Sequence, residues 1–229
     1  MKAASGLALA CVTELFPTAY DQIRARVEQV DPVMYDRTRN FTDGKISYLS
    51  PYISRGILSG KKVQDNVLSK GYWYGEIETF LKELAWREYF QRIQQVQNKL
   101  EADLRAPQSG VLHHLMVQAL EQANTGIHAL DTAINTLYTT GYLHNHLRMF
   151  LASLACNIAR AHWRMPARWM YYHLLDGDIA SNTCSWQWVA GSFSNKKYFC
   201  NQENINTYTR TSQHQTFLDR PYDELSEME

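Results

Sequence analysis

The chain is 229 residues long, 45% apolar and 20% charged, with 23 Lys+Arg against 23 Asp+Glu. A chain of this length buries roughly 70–75% of its unfolded surface and needs neither metal nor disulfide to fold, and the composition excludes a disordered protein. Zero net charge excludes a global basic field, so any nucleic-acid footprint must be local.

The opening "MKAASGLALACVTELFP" holds a brief apolar stretch behind Lys2. It is too short to favour a secretory leader and is read as a lead-in over 1–16. After Pro17, Ala19, Ile23, Val27 and Val30 recur at helical spacing. Ser50-Pro51 predicts an N-cap followed by Pro at the first helical position. Ser59 predicts the next helix start and Gly71 its end. From Ile77, the residues Phe80, Leu81, Leu84, Phe90 and Ile93 form a long amphipathic stripe. Leu143, Leu147, Phe150, Leu151, Leu154 and Ile158 form a second stripe, and 167–175 suggests a third helix.

No sustained alternation of period two appears, and no hairpin signal. The fold class is therefore all-α, read from the residues as one domain. The acidic end, with Asp223, Glu224 and "SEME", is read as solvated. Charges interrupt every apolar run before the ~20 residues a membrane span needs.

Cys11, Cys156, Cys184 and Cys200 form no C-x-x-C pair, which argues against a zinc ribbon or iron–sulfur cluster. They are read as free thiols of a reducing cytoplasm. Neither G-x-G-x-x-G nor a P-loop is present. Asp176 and Asp178 flank Gly177. That spacing suits either an Mg²⁺ or Ca²⁺ ligand pair or a helix stopped at Gly177 with solvated acids, and the residues leave both open. In "HNH", His144 and His146 are two apart on a helix and do not share a face. They are poor co-ligands, and one is expected inward and one outward. Arg87, Arg148 and Asp176 are charges placed beside apolar stripes, which predicts buried ion pairs or a polar ligand inside the helical core.

Several long segments in order carry a resemblance: "YDRTRNFTDGKISYLSPYISRGILS", "FLKELAWREYF", "TGIHALDTAINTLYTTGYLHNHLRM" and "LLDGDIASNTCSWQW". The chain resembles the FAD-binding helical domain of the DNA photolyase and cryptochrome family, from about Phe16 to Trp188, which implies a helical domain over 17–195 and a divergent C-terminal segment over 196–229. The resemblance implies FAD as cofactor and no metal. It sets Tyr35, Ser47 and Ser50 near the ribityl and diphosphate, with Ser50 also capping a helix whose N-terminus suits a phosphate. It sets Arg87, Asn145 and Arg148 at the cofactor, and Glu83, Trp86 and Met149 toward the substrate cavity. Arg148 would pair with Asp176 beside the flavin ring, with Asp178 at the ring's polar edge and Asn182 facing flavin N5. Trp186 and Trp163 match the electron-relay tryptophans, and Trp188 borders the substrate side.

The same resemblance implies where this chain departs from the pattern. Family members that repair (6-4) photoproducts carry histidines at the positions of Asn145 and Met149, so a cyclobutane-dimer pocket is expected instead. His146 stands where many photolyases have an Arg that grips DNA. Ile46 replaces a Thr-type phosphate contact, and Phe80 replaces a common Trp. The distal relay tryptophan should lie between Arg92 and Thr125, and neither Trp nor Tyr occurs there. The family's N-terminal α/β antenna domain has no counterpart in these residues.

Three functions follow as expectations. One is light-driven DNA repair of the cyclobutane-dimer type, with weak, salt-dependent binding to UV-damaged or single-stranded DNA through a few cations such as Arg55, Lys196 and Lys197. The others are a cryptochrome-like sensory or redox flavoprotein acting through a protein partner, and a flavin-binding subunit completed by another chain. Each is read as a cytoplasmic protein without membrane attachment.

Overall fold

The computed structural model describes residues 12–97 and 101–227. Helices α1 (Tyr20–Glu28), α2 (Pro32–Thr38), α3 (Ser50–Ser54), α4 (Gly60–Ser69) and α5 (Tyr74–Val96) form the first half. Helices α6 (Gln118–Glu121), α7 (His128–Thr140), α8 (Asn145–Ser153), α9 (Arg164–His173), α10 (Ile179–Ala190), α11 (Gln202–Thr209) and α12 (Tyr222–Glu227) form the rest. Among the described residues there is no strand, only an isolated bridge between His113 and Ala161. The all-α expectation holds. No helix among the described residues is long and apolar enough to cross a membrane.

Two cores form. Phe16, Ile23, Val27, Leu49, Tyr52, Val63, Val67, Ile77 and Phe80 pack into the first. The second gathers α7 to α12 around Phe150, Leu151, Trp163, Met170 and Trp186, and takes in Cys200, Ile205, Leu218 and Leu225. The segment after 196 thus packs into the same core as the helices before it. Leu225 is fully buried in α12, so the expectation of a wholly solvated acidic end is corrected. Of the 1–16 lead-in, 1–11, where the leader-like stretch and Cys11 fall, lies outside the described residues. Phe16 is buried in the first core.

Helix α5 joins the two cores. Its first turns bury Ile77 and Phe80, and it packs against both α2 and α10. The rest of its apolar stripe is only partly covered. Leu81 and Leu84 still pack against the first core, and Phe90 faces a cavity.

Local chemistry sets several boundaries. Ser59 caps α4, accepting from Lys62 N at 3.1 Å, and Gly71 follows its end at φ 73°. Gly141 and Gly191 close α7 and α10 in the left-handed conformation that costs glycine least. The capping expected of Ser50 is not realised. Leu49 is the N-cap of α3, no side chain caps it, and Ser50 is already helical. The second sequence stripe is not one α-helix either: after Ser153 the chain widens into a π-helical turn, Leu154–Ile158. There Asn157 Nδ2 donates to the carbonyls of Val189 (3.1 Å) and Tyr198 (2.7 Å), tying the turn to α10 and the segment after it.

Candidate functional site

A cavity of about 520 Å³ lies where the two cores meet, within the roughly 300–1,000 Å³ usual for small-molecule sites. Tyr35, Ser47, Ser50, Arg87, Asn145, Arg148, Asp176, Asp178 and Asn182 all line it, and so do Glu83, Trp86, Met149, Trp186 and Trp188. These residues come from α2, the 45–50 turn, α5, α8, the loop after α9 and α10. Trp163 and His146 are not among the lining residues.

The deepest charges are paired. Arg148 Nη2 donates to both carboxylate oxygens of Asp176, at 2.9 and 2.8 Å, and its Nε donates to the Leu143 carbonyl at 2.8 Å. The Asp176 side chain is only 3% exposed. Asp178 is not a solvated acid after a helix stop. The preceding helix ends at His173, and Asp178 is the N-cap of α10, accepting from Ser181 N at 2.8 Å. It also accepts from Arg87 Nη2 (3.0 Å) and Gln91 Nε2 (2.9 Å). Burial pushes its carboxyl up, but the Ser181 N–H, the Arg87 charge and the Gln91 amide together hold it below the ordinary carboxylate value. Both acids are thus committed to protein donors, and among the described residues no cluster suited to a metal ion exists.

Asn182 is oriented by chemistry. Its Nδ2 donates to the Ala167 carbonyl at 2.9 Å, and a carbonyl accepts only from the amide nitrogen. Oδ1 therefore remains as its acceptor at the cavity wall.

The opposite wall contains groups that sequence reading missed. Tyr48 adopts φ 53°, a conformation bulky residues rarely take. Its ring packs on Phe16 and Tyr142, and the guanidinium of Arg26 lies 5.9 Å from its centroid. Arg26, Lys45, Ile46 and Ser47 line a side pocket of about 200 Å³ that shares Tyr35, Ser47 and Tyr48 with the main cavity. Arg26 is half-buried, and its Nη1 is a buried atom without a hydrogen-bond partner. A buried guanidinium N–H left unpaired is costly, and an anion satisfies it. The chain reaches this wall through Gly44, where a Cβ would stand 2.0 Å from the Thr38 carbonyl oxygen.

Arg39 pairs with Glu83 at the edge of the cavity, beside Tyr35. Burial, reinforced by the Glu83 charge, pushes the Tyr35 hydroxyl up to about 12, so it remains a neutral donor. Trp86 (50% exposed) and Trp188 (42%) stand at the open side, and Trp186 is buried.

The histidines correct an expectation. Both His144 and His146 are buried, not one in and one out. His144 Nδ1 accepts from His146 N at 3.2 Å as the cap of α8, and the His146 ring packs on Phe150 and Tyr208. His146 is therefore a core side chain and no exposed DNA grip. Burial, with Arg148 beside His144, and His144 and Arg39 beside His146, lowers both to about 4. Arg55, one of the expected surface cations, donates to the Leu175 carbonyl at 3.0 Å.

A sequence profile of the FAD binding domain of DNA photolyase matches residues 80–229, more than half of the chain. The chain belongs to this family. The deoxyribodipyrimidine photo-lyase of Vibrio cholerae is 30% identical over 181 residues, covering 75% of this chain and 38% of the relative. That of Escherichia coli is 30% identical over 171 residues, covering 69% and 35%. The chain thus spans well under half the length of these curated relatives. Among solved structures, an archaeal photolyase from Sulfolobus tokodaii with two FAD molecules aligns with TM-score 0.69 at 22% identity, over 84% of this chain and 45% of that one. A Synechocystis cryptochrome aligns with TM-score 0.66 at 23% identity, over 89% and 43%. These likenesses establish the fold of a photolyase FAD-binding domain. The cavity and its side pocket fit that cofactor on their own terms: the half-buried Arg26 guanidinium beside the side pocket suits a diphosphate, and an oriented amide with paired carboxylates suits the polar edge of a ring.

Proposed function

We propose that the main cavity holds FAD and serves light-driven repair of cyclobutane pyrimidine dimers in DNA. The observation that carries this reading is convergence. Residues spread from Tyr35 to Asn182, each matched to a cofactor role by the family resemblance, line a single cavity. When bound, FAD supplies photochemical one-electron transfer: reduced and excited it lends an electron to a dimer, and oxidised and excited it draws one from the tryptophans of the protein. The protein supplies orientation and electrostatics.

Arg26, Lys45, Ser47 and Ser50 would hold the diphosphate. Helix α3 has only five residues, and its end offers little dipole. Cationic groups therefore matter more here than the helix terminus. Asp176, fixed by Arg148, and Asp178, fixed by Arg87, would meet the donors of the ring's polar edge, and Asn182 would stand at its centre. Trp86 and Trp188 offer aromatic faces to an unstacked base, a contact worth about 1–3 kcal/mol per base and tolerant of sequence. A dimer taken out of the duplex would be the substrate.

Reconstitution with FAD followed by gel filtration tests binding. Arg26→Ala and Arg148→Ala should release flavin that the parent protein retains. Repair of a dimer-containing oligonucleotide under blue light tests the activity. Flavin retained equally by both variants sinks the binding mode. Retained flavin without repair in the reduced protein sinks the catalytic reading alone.

A further inference from the structure

Trp163 lies outside the cavity lining, 2% exposed, within the second core. Its indole Nε1–H donates to Asp103 Oδ1 at 2.6 Å, at the short end even for a charge-assisted N–H···O bond. The contact is built on both sides. Asp103 Oδ2 accepts from Gln108 N at 3.1 Å. Gln108, itself buried, receives the Trp163 backbone N–H on Oε1 at 2.9 Å and donates Nε2 to the Ala161 carbonyl at 3.0 Å. The loop that carries Asp103 is pinned to α10 through Gln187, which accepts from Leu104 N (2.8 Å) and donates to the Ala102 carbonyl (3.1 Å). His162 Nε2 lies 3.7 Å from Asp103 Oδ1, and its ring stacks on exposed His114 at 4.8 Å. The Asp103 side chain keeps 20% of its surface in solvent.

We propose that Asp103 is the proton acceptor for Trp163 when the indole is oxidised. This rests on the electron-transfer reading above. A one-electron oxidant, there the light-excited oxidised cofactor, removes one electron from the indole. The Nε1–H bond breaks, the proton passes along the hydrogen bond, and an O–H bond forms on Asp103. The products are a neutral indolyl radical and a carboxylic acid, and the pair goes from charge −1 to zero as the electron leaves. Return of an electron reverses both transfers.

The physical reason is desolvation. An indole cation in this apolar core would be a buried charge, and shifting the proton by one hydrogen bond removes both it and the carboxylate charge. The segment between Arg92 and Thr125 offers no Trp or Tyr as a further stop for the hole. It offers Asp103 in its place. The relay would then end in a proton transfer, and the neutral radical would hold the charge apart long enough for an external donor.

The test is flash photolysis of the FAD-loaded protein beside Asp103→Asn, which keeps an oxygen acceptor but takes no proton. Transient absorption and EPR distinguish cationic from neutral indolyl radicals. The parent should yield the neutral radical, more slowly in deuterium oxide. Asp103→Asn should yield only the cation, with a lifetime severalfold shorter. The Trp163 indole N–H resonance, absent in Trp163→Phe and read without light, checks that the variant keeps its fold and hydrogen bond. A Trp163 radical that is cationic throughout in the parent, or identical in Asp103→Asn, overturns this proposal and leaves the relay standing. Absence of any Trp163 radical in the parent overturns both.

Discussion

The deep wall of the cavity and its open side are built on opposite terms. At the deep wall, Asp176 is nearly solvent-free and doubly bonded to Arg148, and Asp178 serves as cap, ion-pair partner and amide acceptor at once. At the open side, Trp86 and Trp188 expose half or nearly half of their surface and support little of the core. Polar groups are buried where position must be held, and apolar groups are exposed where a partner would cover them. The contrast teaches that stability and substrate contact are separable in this cavity, because they rest on different residues.

Breaking the deep wall should have the largest effect. Removing one member of a buried pair costs about 3–5 kcal/mol, or roughly 6–20 °C in a domain of this size. Arg148→Ala should fall nearer the top of that range than Asp176→Ala. It strands a carboxylate that is 3% exposed, whereas Arg148 is 23% exposed and keeps the Leu143 carbonyl. Thermal melts with and without FAD check the order. Equal small shifts would mean a solvated pair.

Behind the deep wall, acid should act through His144 and His146. Their folded values near 4 lie below the ordinary 6.5, so the folded chain resists protons that the unfolded chain binds. Stability should be complete above pH 6.5 and fall as pH drops from 6.5 toward 4, by about 1.4 kcal/mol per unit and per group. His146→Phe should flatten the melting temperature against pH in that window. An unchanged slope would remove His146 from the account.

The open side should answer differently. Trp86→Ala or Trp188→Ala should leave the melting temperature nearly unchanged. Each should weaken binding of a dimer-containing single strand by about 1–3 kcal/mol. Titrations at fixed low salt check this, and a large loss of stability would deny the separation of wall from open side.

The smallest effect, the cap itself, is read as the difference between two substitutions at Asp178. Asparagine is as good an N-cap as aspartate, so Asp178→Asn should keep α10 capped through its one amide oxygen while losing the charge and the bonds that Oδ2 accepts from Arg87 and Gln91. Asp178→Ala should cost about 1 kcal/mol more. Because the folded carboxyl lies below its ordinary value, this contribution is present above pH ~4 and lost as pH falls further. Melts of the parent and both variants at pH 7 and pH 3.5 read the two parts separately.

Helical spacing made the main elements legible: Ile23 and Val27, Leu147 through Leu151, and the Ser59 cap all follow from contacts within a few residues. The motif residues of the cavity were legible too, because each stands in a recognisable run such as "ELAWRE" or "LLDGDIASN". What local pattern does not encode was decided by packing. Spacing predicted opposite faces for His144 and His146, but at the helix start His144 is the buried cap and His146 is covered by Phe150 and Tyr208. Spacing left Asp178 open between a metal ligand and a solvated acid after a helix, yet it caps the next helix. Arg26 sits in an unremarkable stretch and Lys45 drew no role within its motif, and only the fold of α1 against the 45–50 turn sets them around one pocket. Asp103 meets Trp163 across sixty residues. Periodicity is a property of neighbours in the chain. Such pairings arise only when separate elements pack and leave buried polar atoms in need of partners.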